Sequence, residues 1–533
     1  MNLRLTSSAI ALAAMTAPAF ADVTPEQVWQ SWVDYYQGAG YQIKEGGREK
    51  AGDTLTLTDV VAAGGTAENP ASFAFGTVTL SDTGDGKVRT VFSDRATGSI
   101  KGSEADGKSF EIPFTIDMPG NSTVTSGAPE DMTHEFNYPT IDIALTTMKV
   151  GDKETPLPIR FSIAGSTGTM HFVAGETAKY DYKAHAERMN ASGDIQTEDG
   201  GNIKFDTNMS GLEMSGDLAL PKGANMGGDM NAAIKSGTAM SGSVKSGAMT
   251  ATFDFTATGE DGQPQTGKGK YDGKGFDLTF AMSQDGLTYQ GNSDAFTSEI
   301  SGGQFPFPIK YAAESGSFDL QFPVLKSDTA QPFKLAYSLA GLTMGDEIWA
   351  LFDPEAKLPR DPASLDLDLT GTAKVNEDML DPAVMAAEAE AATPTDAAPE
   401  ANPETTPDAG DAATADAEAA ATPEPFVPVD LNINQFALSA LGAKITANGQ
   451  LTGPEGGDLI QAPVGKLNAT FEGVNGLLDT LGSMGLVPED QLMSVRMMLT
   501  MFGKPAAEGE DKLTTELEFK EDGSLTANGQ QLR

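Results

Sequence analysis

The sequence contains no cysteine. That excludes disulfide staples and thiolate metal sites, and also a bacterial lipoprotein anchor, which needs a cysteine at the cleavage position. The fold must rest on burial and backbone pairing. A chain of 533 residues can supply both, because longer chains bury a larger share of their surface. Cationic side chains are scarce: 35 Lys and Arg stand against 76 Asp and Glu, a net charge of −41. Nucleic acid and bare anionic membrane both need a cationic surface, so neither is an expected partner. Acidity of this degree also serves solubility alone, with no ligand implied. Histidine is limited to His134, His171 and His185, and aromatic residues to 7%. The three histidines lack the i, i+4 spacing of a helical zinc site, so no metal is expected. Glycine, by contrast, is abundant at 59 residues, which fits many short strands joined by tight turns.

The N-terminus reads as a secretory signal peptide. Arg4 opens it, Leu5–Met15 is mostly apolar, and Ala19-Phe20-Ala21 is a small-x-small cleavage site. The apolar core is too short to span a bilayer comfortably. The expected cleavage between Ala21 and Asp22 places the mature chain in the periplasm, with no integral membrane span. Thr24, Pro25 and Gln27 then form a capping box at a helix start. Val28, Trp29, Trp32, Val33 and Tyr36 recur at helical spacing, and Gly38 and Gly40 stop the helix. It is expected to dock on the body and plug one end of it.

From about Tyr41 the apolar period changes from 3.6 to two. Phe110, Ile112, Phe114 and Ile116 alternate with other residues, as do Ile159, Phe161 and Ile163, then Phe276, Leu278 and Phe280, then Phe318, Leu320 and Phe322. The pattern continues at Leu365, Leu367 and Leu369 and at Val429, Leu431 and Ile433. Each segment predicts a strand with one apolar face. Asp-Gly turn signals separate many of them, as at Asp82–Gly86 and Asp285-Gly286. With few helices to cover so many strands, the sheet must cover itself as a sandwich, a barrel or a rolled trough. The predicted fold is therefore mainly β: a long antiparallel curved or rolled sheet, with a short N-terminal helix and a C-terminal helix pair. Residues 22–380 form the helix and extended β region. Residues 386–425, an Ala/Glu/Pro/Thr/Asp tract without Lys, Arg or aromatics, are expected to be a disordered insertion. Residues 426–533 continue the sheet and contain helices at Val474–Met484 and Glu489–Phe502.

No constellation for catalysis emerges. There is no G-x-S-x-G elbow. Gly267–Gly273 superficially matches a phosphate loop, but lacks its spacing and following helix, and reads as a hairpin turn. Asp82–Gly86 lacks the ligands of a calcium loop. Glu516 and Glu518 alternate with Leu517 and Phe519, which puts both on a solvated strand face rather than in an acid/base pair. No enzyme activity and no cofactor are expected. The sharpest feature is the second C-terminal helix, apolar nearly all round. Its Leu492, Met493, Met497, Met498, Met501 and Phe502 are either core or a lid over an apolar trough. An outer-membrane barrel is disfavoured by irregular strand lengths, internal prolines and sparse aromatics.

Ala437–Ala443, Pro463–Leu467, the helix pair, Glu521-Asp522-Gly523 and Ala527–Gln530 together resemble the domain-of-unknown-function family 2125 of alphaproteobacterial envelope proteins. Gln304–Phe307 and Leu358–Pro362 fit it too. Residues 300–533 carry the resemblance, which extends distantly to AsmA-like envelope proteins. It implies a long curved sheet forming an apolar trough connected with lipid. The expected function is that of a non-enzymatic binding or carrier protein for a hydrophobic ligand such as lipid. The alternative is a structural or protein-interaction component of the envelope with a solid core.

Overall fold

Alternating strands with one apolar face do combine into a single surface. The computed structural model describes residues 23–532 apart from 39, 66–69, 104–107, 198–199, 225, 227–228, 260–261, 303–304, 386–424, 455–458 and 508. The signal peptide, its cleavage site at Ala21 and Asp22, and the acidic tract up to residue 424 lie outside the described residues. Among the described residues twenty-nine strands form one sheet, and every pairing in it is antiparallel. Each strand bonds to strands close to it in the chain, so the sheet is a long ladder of rungs. Four consecutive rungs are strands of 20 or 21 residues: Asp131–Val150, Lys153–Val173, Thr177–Gln196 and Asn202–Pro221.

Beyond Pro221 each rung is built from two short strands end to end. Ala239–Ser246 and Met249–Thr258 both pair with Asn202–Pro221. Phe276–Ser283 and Pro264–Gly273 follow, then Gly286–Ser293 and Phe296–Gly302, then Ser315–Phe322 and Phe305–Ala313. The two files reunite on Ser327–Met344. Gly267–Gly273, expected to be a hairpin turn, is therefore the body of a strand. Its glycines lie opposite phenylalanines on the next strand, at Gly267↔Phe255 and Gly269↔Phe253. Local composition suggested a turn, and cross-strand pairing overrides it.

A crease separates the two files. On the long strands it passes through Gly165 and Gly211, at φ 63° and 61°, a left-handed conformation that glycine adopts without steric cost. Side chains alternate with period two, so an offset of one residue exchanges the faces. The sequence changes phase at the same place: Ile159, Phe161 and Ile163 precede Gly165, and Met170 and Phe172 follow it. The apolar face thus stays on one side of both files. Where the rungs are split, the chain steps across this line, held by Gly247 N–H to Ser210 O (2.7 Å) and Lys274 N–H to Ala295 O (3.0 Å).

Helix α1, Pro25–Gly38, shows that the sheet curls. Its capping box forms as expected, with Thr24 N–H donating to Gln27 Oε1 (2.9 Å) and Gln27 N–H to Thr24 Oγ1 (3.3 Å). Val28 and Trp29 enter a core with Leu55, Leu57, Val60, Val78, Leu80, Val88 and Met132. Further along, Trp32 lies against His134 and Tyr35 against Tyr180, while Gly38 reaches Leu220. From Val28 to Gly38 a helix advances ~15 Å. The seven rung spacings from Thr54–Gly65 to Asn202–Pro221 would cover ~34 Å on a flat sheet. One short helix reaches from the first of these rungs to the last because the sheet wraps around it.

The first rung, Gln42–Lys44 and Gly47–Ala51, and the last, Gln530–Gln531, are open edges. Among the described residues no pairing joins them into a closed barrel. Ala363–Val375 and Phe426–Ala440, on either side of the acidic tract, pair with each other from Val375↔Phe426 to Ser364↔Ser439. Helices α2 (Met230–Lys235) and α3 (Asp346–Phe352) sit on inter-strand connections, and α4 (Val474–Ser483) and α5 (Glu489–Phe502) follow Val464–Glu472. Among the described residues no helix is long and apolar enough to cross a membrane.

Candidate functional site

The face on which α1 sits continues, uncharged, from Thr54–Gly65 to Lys512–Phe519; only on the edge rung Gly47–Ala51 do charges stand in register with it, Lys50 opposite Leu55 and Arg48 opposite Leu57. Register partners trace one row from Leu55 through Leu80, Thr90, Thr123, Phe136, Gly168, Ala184 and Met214. It proceeds through Val244, Leu278, Gly291, Phe318, Tyr337, Leu367, Phe436, Ala447 and Ala469 to Thr515. These eighteen positions include no Asp, Glu, Lys or Arg, and at ordinary strand spacing they extend roughly 80 Å. The neighbouring row has the same character: Tyr182, Gly216, Gly242, Phe280, Tyr289, Leu320, Leu335 and Leu369. In the second file, Phe161 lines up with Ala191, Thr207, Ala251, Tyr271, Ser298, Tyr311 and Met344. The opposite face of the same strands is polar: Arg160, Ser192, Asp206, Thr252, Lys270, Glu299 and Lys310 also stand in register.

Burial divides the apolar face into two zones. Under α1, Leu55, Leu57 and Leu80 are at most 1% exposed. In the middle, Phe161, Phe253, Tyr289 and Tyr337 are 39–43% exposed. Monomeric proteins seldom leave a contiguous apolar surface of this extent uncovered, and those that do commonly use it. The middle zone also holds Met189, Met209 and Met249 as successive register partners, with Met240 and Met282 paired in the other file. Thioether side chains without branching adapt to varied shapes. No family model, curated protein or solved structure matches the chain.

The three histidines occupy different environments. His134 is 2% exposed on the apolar face, 4.8 Å from the Trp32 ring and 2.8 Å through Nδ1 from Thr125 Oγ1. Burial pushes its pKa down to about 4. His171 lies on the polar face, its Nε2 2.7 Å from Asp131, and that hydrogen bond raises its pKa. His185 pairs in register with Glu213 on the next strand. Among the described residues no group of His, Asp or Glu is arranged to hold a metal. Beside His171, a concavity of about 460 Å³ is lined by Tyr180, Asp181, Leu218, Met240 and Met282. Glu516 and Glu518 both approach Lys466, at 3.4 and 3.3 Å, as expected of a solvated strand face.

The candidate residues of α5 separate. Leu492 is buried, but Met493, Met497, Met498 and Met501 are 49–64% exposed. Phe502 is half-buried, and its carbonyl accepts from Thr515 Oγ1 and from Asn528 Nδ2 (2.8 Å). A cleft of about 700 Å³ between α4 and α5 is bordered by Val487, Leu492, Met493 and the Arg496–Asp479 ion pair. The methionines that looked most like core thus face solvent. The larger apolar surface lies on the strands, where its signal is spread over many short alternating segments.

Proposed function

We propose that this chain is an exported envelope protein whose apolar sheet face seats the hydrocarbon part of a lipid or similar hydrophobic ligand, as a soluble binding or carrier protein. The observation that carries this reading is the uncharged row of eighteen register partners, closed by α1 at one end and open in the middle. Hydrocarbon on the open stretch would remove exposed aromatic and aliphatic surface from water, at about 25 cal/mol per Å². The rows traced along that stretch carry no His, Asp, Glu, Lys or Arg, and the role proposed is non-enzymatic. The sequence resemblance to family 2125 and to AsmA-like proteins supports the same reading, and the signal peptide supports a periplasmic location. Native mass spectrometry and organic extraction of protein purified from its own host membrane fraction test it. A co-purifying lipid mass is expected. A ligand-free spectrum, with no uptake from zwitterionic vesicles, refutes it.

The exposed methionines of α5 favour a second reading, an interaction component of the envelope. Capture of a defined protein partner by the wild-type chain, lost on Met493→Ser/Met497→Ser with no lipid bound to either, would favour that reading.

A further inference from the structure

Glycine and aromatic residues face each other repeatedly across the strands of the apolar face. Gly216, Gly242 and Gly269 are the register partners of Tyr182, Phe280 and Phe253. None of the three glycines has a positive φ, so backbone conformation does not demand glycine there. A Cβ added at any of them would overlap the partner's ring. Each ring therefore reaches into the space that a side chain at the glycine would fill, and yet Tyr182, Phe253 and Phe280 are 38%, 39% and 36% exposed. Part of each ring is packed over its glycine and part is left open.

We infer that these glycines set the depth of the ligand bed, and that its occupant is an extended alkyl chain lying across the strands on the ring faces. This rests on reading the apolar face as a lipid seat. A peptide would leave its backbone N–H and C=O groups without partners on a surface of this composition. An alkyl chain has no such groups. Any charged headgroup stays outside, because the rows traced through the bed contain no ion-pairing side chain. In the second file the row from Phe161 to Met344, exposed at both ends, covers seven rung spacings, ~34 Å. One bilayer leaflet is ~15 Å of hydrocarbon, so the bed takes about two chain lengths end to end.

The test is binding of cis-parinaric acid, a fluorescent 18-carbon fatty acid, to the full chain and its variants. Gly242→Ala lifts the Phe280 ring into the bed, and binding is expected to weaken at least tenfold. Gly316→Ala is the control. It lies on the same face, but a Cβ there meets only Ser338 O at 3.7 Å and Leu339 at 4.0 Å, so less than a threefold change is expected. Gly242→Ala/Phe280→Ala removes the lifted ring and should restore binding. This double variant also decides the matter if Gly242→Ala alone does not fold. Wild-type affinity in folded Gly242→Ala, or equally weak binding in the double variant, overturns the inference about the bed. Absence of binding by the wild-type chain overturns instead the reading of the face as a lipid seat.

Discussion

His134 gives the protein a calculable sensitivity to acid. Its imidazole is buried between Thr125 and Trp32, and its pKa falls from 6.5 to about 4. The folded state therefore keeps it neutral at pH values where the unfolded chain takes up a proton. Stability from this source is intact above pH 6.5. It declines as the pH drops, and levels off once the folded state also protonates near pH 4. With one pKa unit equivalent to about 1.4 kcal/mol, linkage gives a loss of about 2 kcal/mol between pH 8 and pH 5. Urea unfolding followed by tryptophan fluorescence measures it, because Trp29 and Trp32 both lie on α1. Paired carboxylates add their own pH dependence, so the quantity to follow is the difference between wild type and His134→Gln. That difference should shrink against the wild type by about 2 kcal/mol over the interval. Parallel pH profiles for the two proteins would refute the reasoning.

Leu57→Ala, at a fully buried position beneath α1, is expected to cost about 2–5 kcal/mol in chemical denaturation. On α5, Leu492→Ala should cost about 2 kcal/mol or more, whereas Met497→Ala, 64% exposed, should stay within about 0.5 kcal/mol. Thr24→Ala removes half of the capping box and should lower stability by about 1 kcal/mol. Gly165→Ala combines a left-handed backbone with overlap on the Glu187 side chain, and its unfolding midpoint should fall clearly below that of Gly316→Ala.

Strand alternation was the most legible part of the sequence. Phe276, Leu278 and Phe280, and then Phe318, Leu320 and Phe322, fall on the face that their spacing implies. The N-terminal capping box and the two C-terminal helices are equally local signals, and they form where expected. The role of glycine was not legible. Gly242 meets Phe280 through a pairing that only the register discloses, so glycines paved over by rings looked like turn formers. The phase change between Ile163 and Met170 was present in the sequence, but it becomes a crease only when neighbouring strands change phase at the same level. Nor could spacing distinguish His134 from His171, since one lies under a helix packed from far earlier in the chain. Whether the α5 methionines are covered was not legible for a related reason: an apolar helix composition does not say which neighbours lie against it.

The ladder of rungs, each bonded only to those beside it, makes the molecule nearly one-dimensional in its energetics. Strength in such an array is a sum of contacts between adjacent units, as in solenoid repeats. Removing or inserting a pair of rungs in the open stretch would change its reach by ~10 Å and leave the α1 core untouched. Length is then a variable that selection can adjust separately from stability. Both ends are also poor templates for further growth. One carries Arg48, Glu49 and Lys50, and the other is two residues long. Among the described residues the sheet thus ends on strands that give a second chain little to pair with.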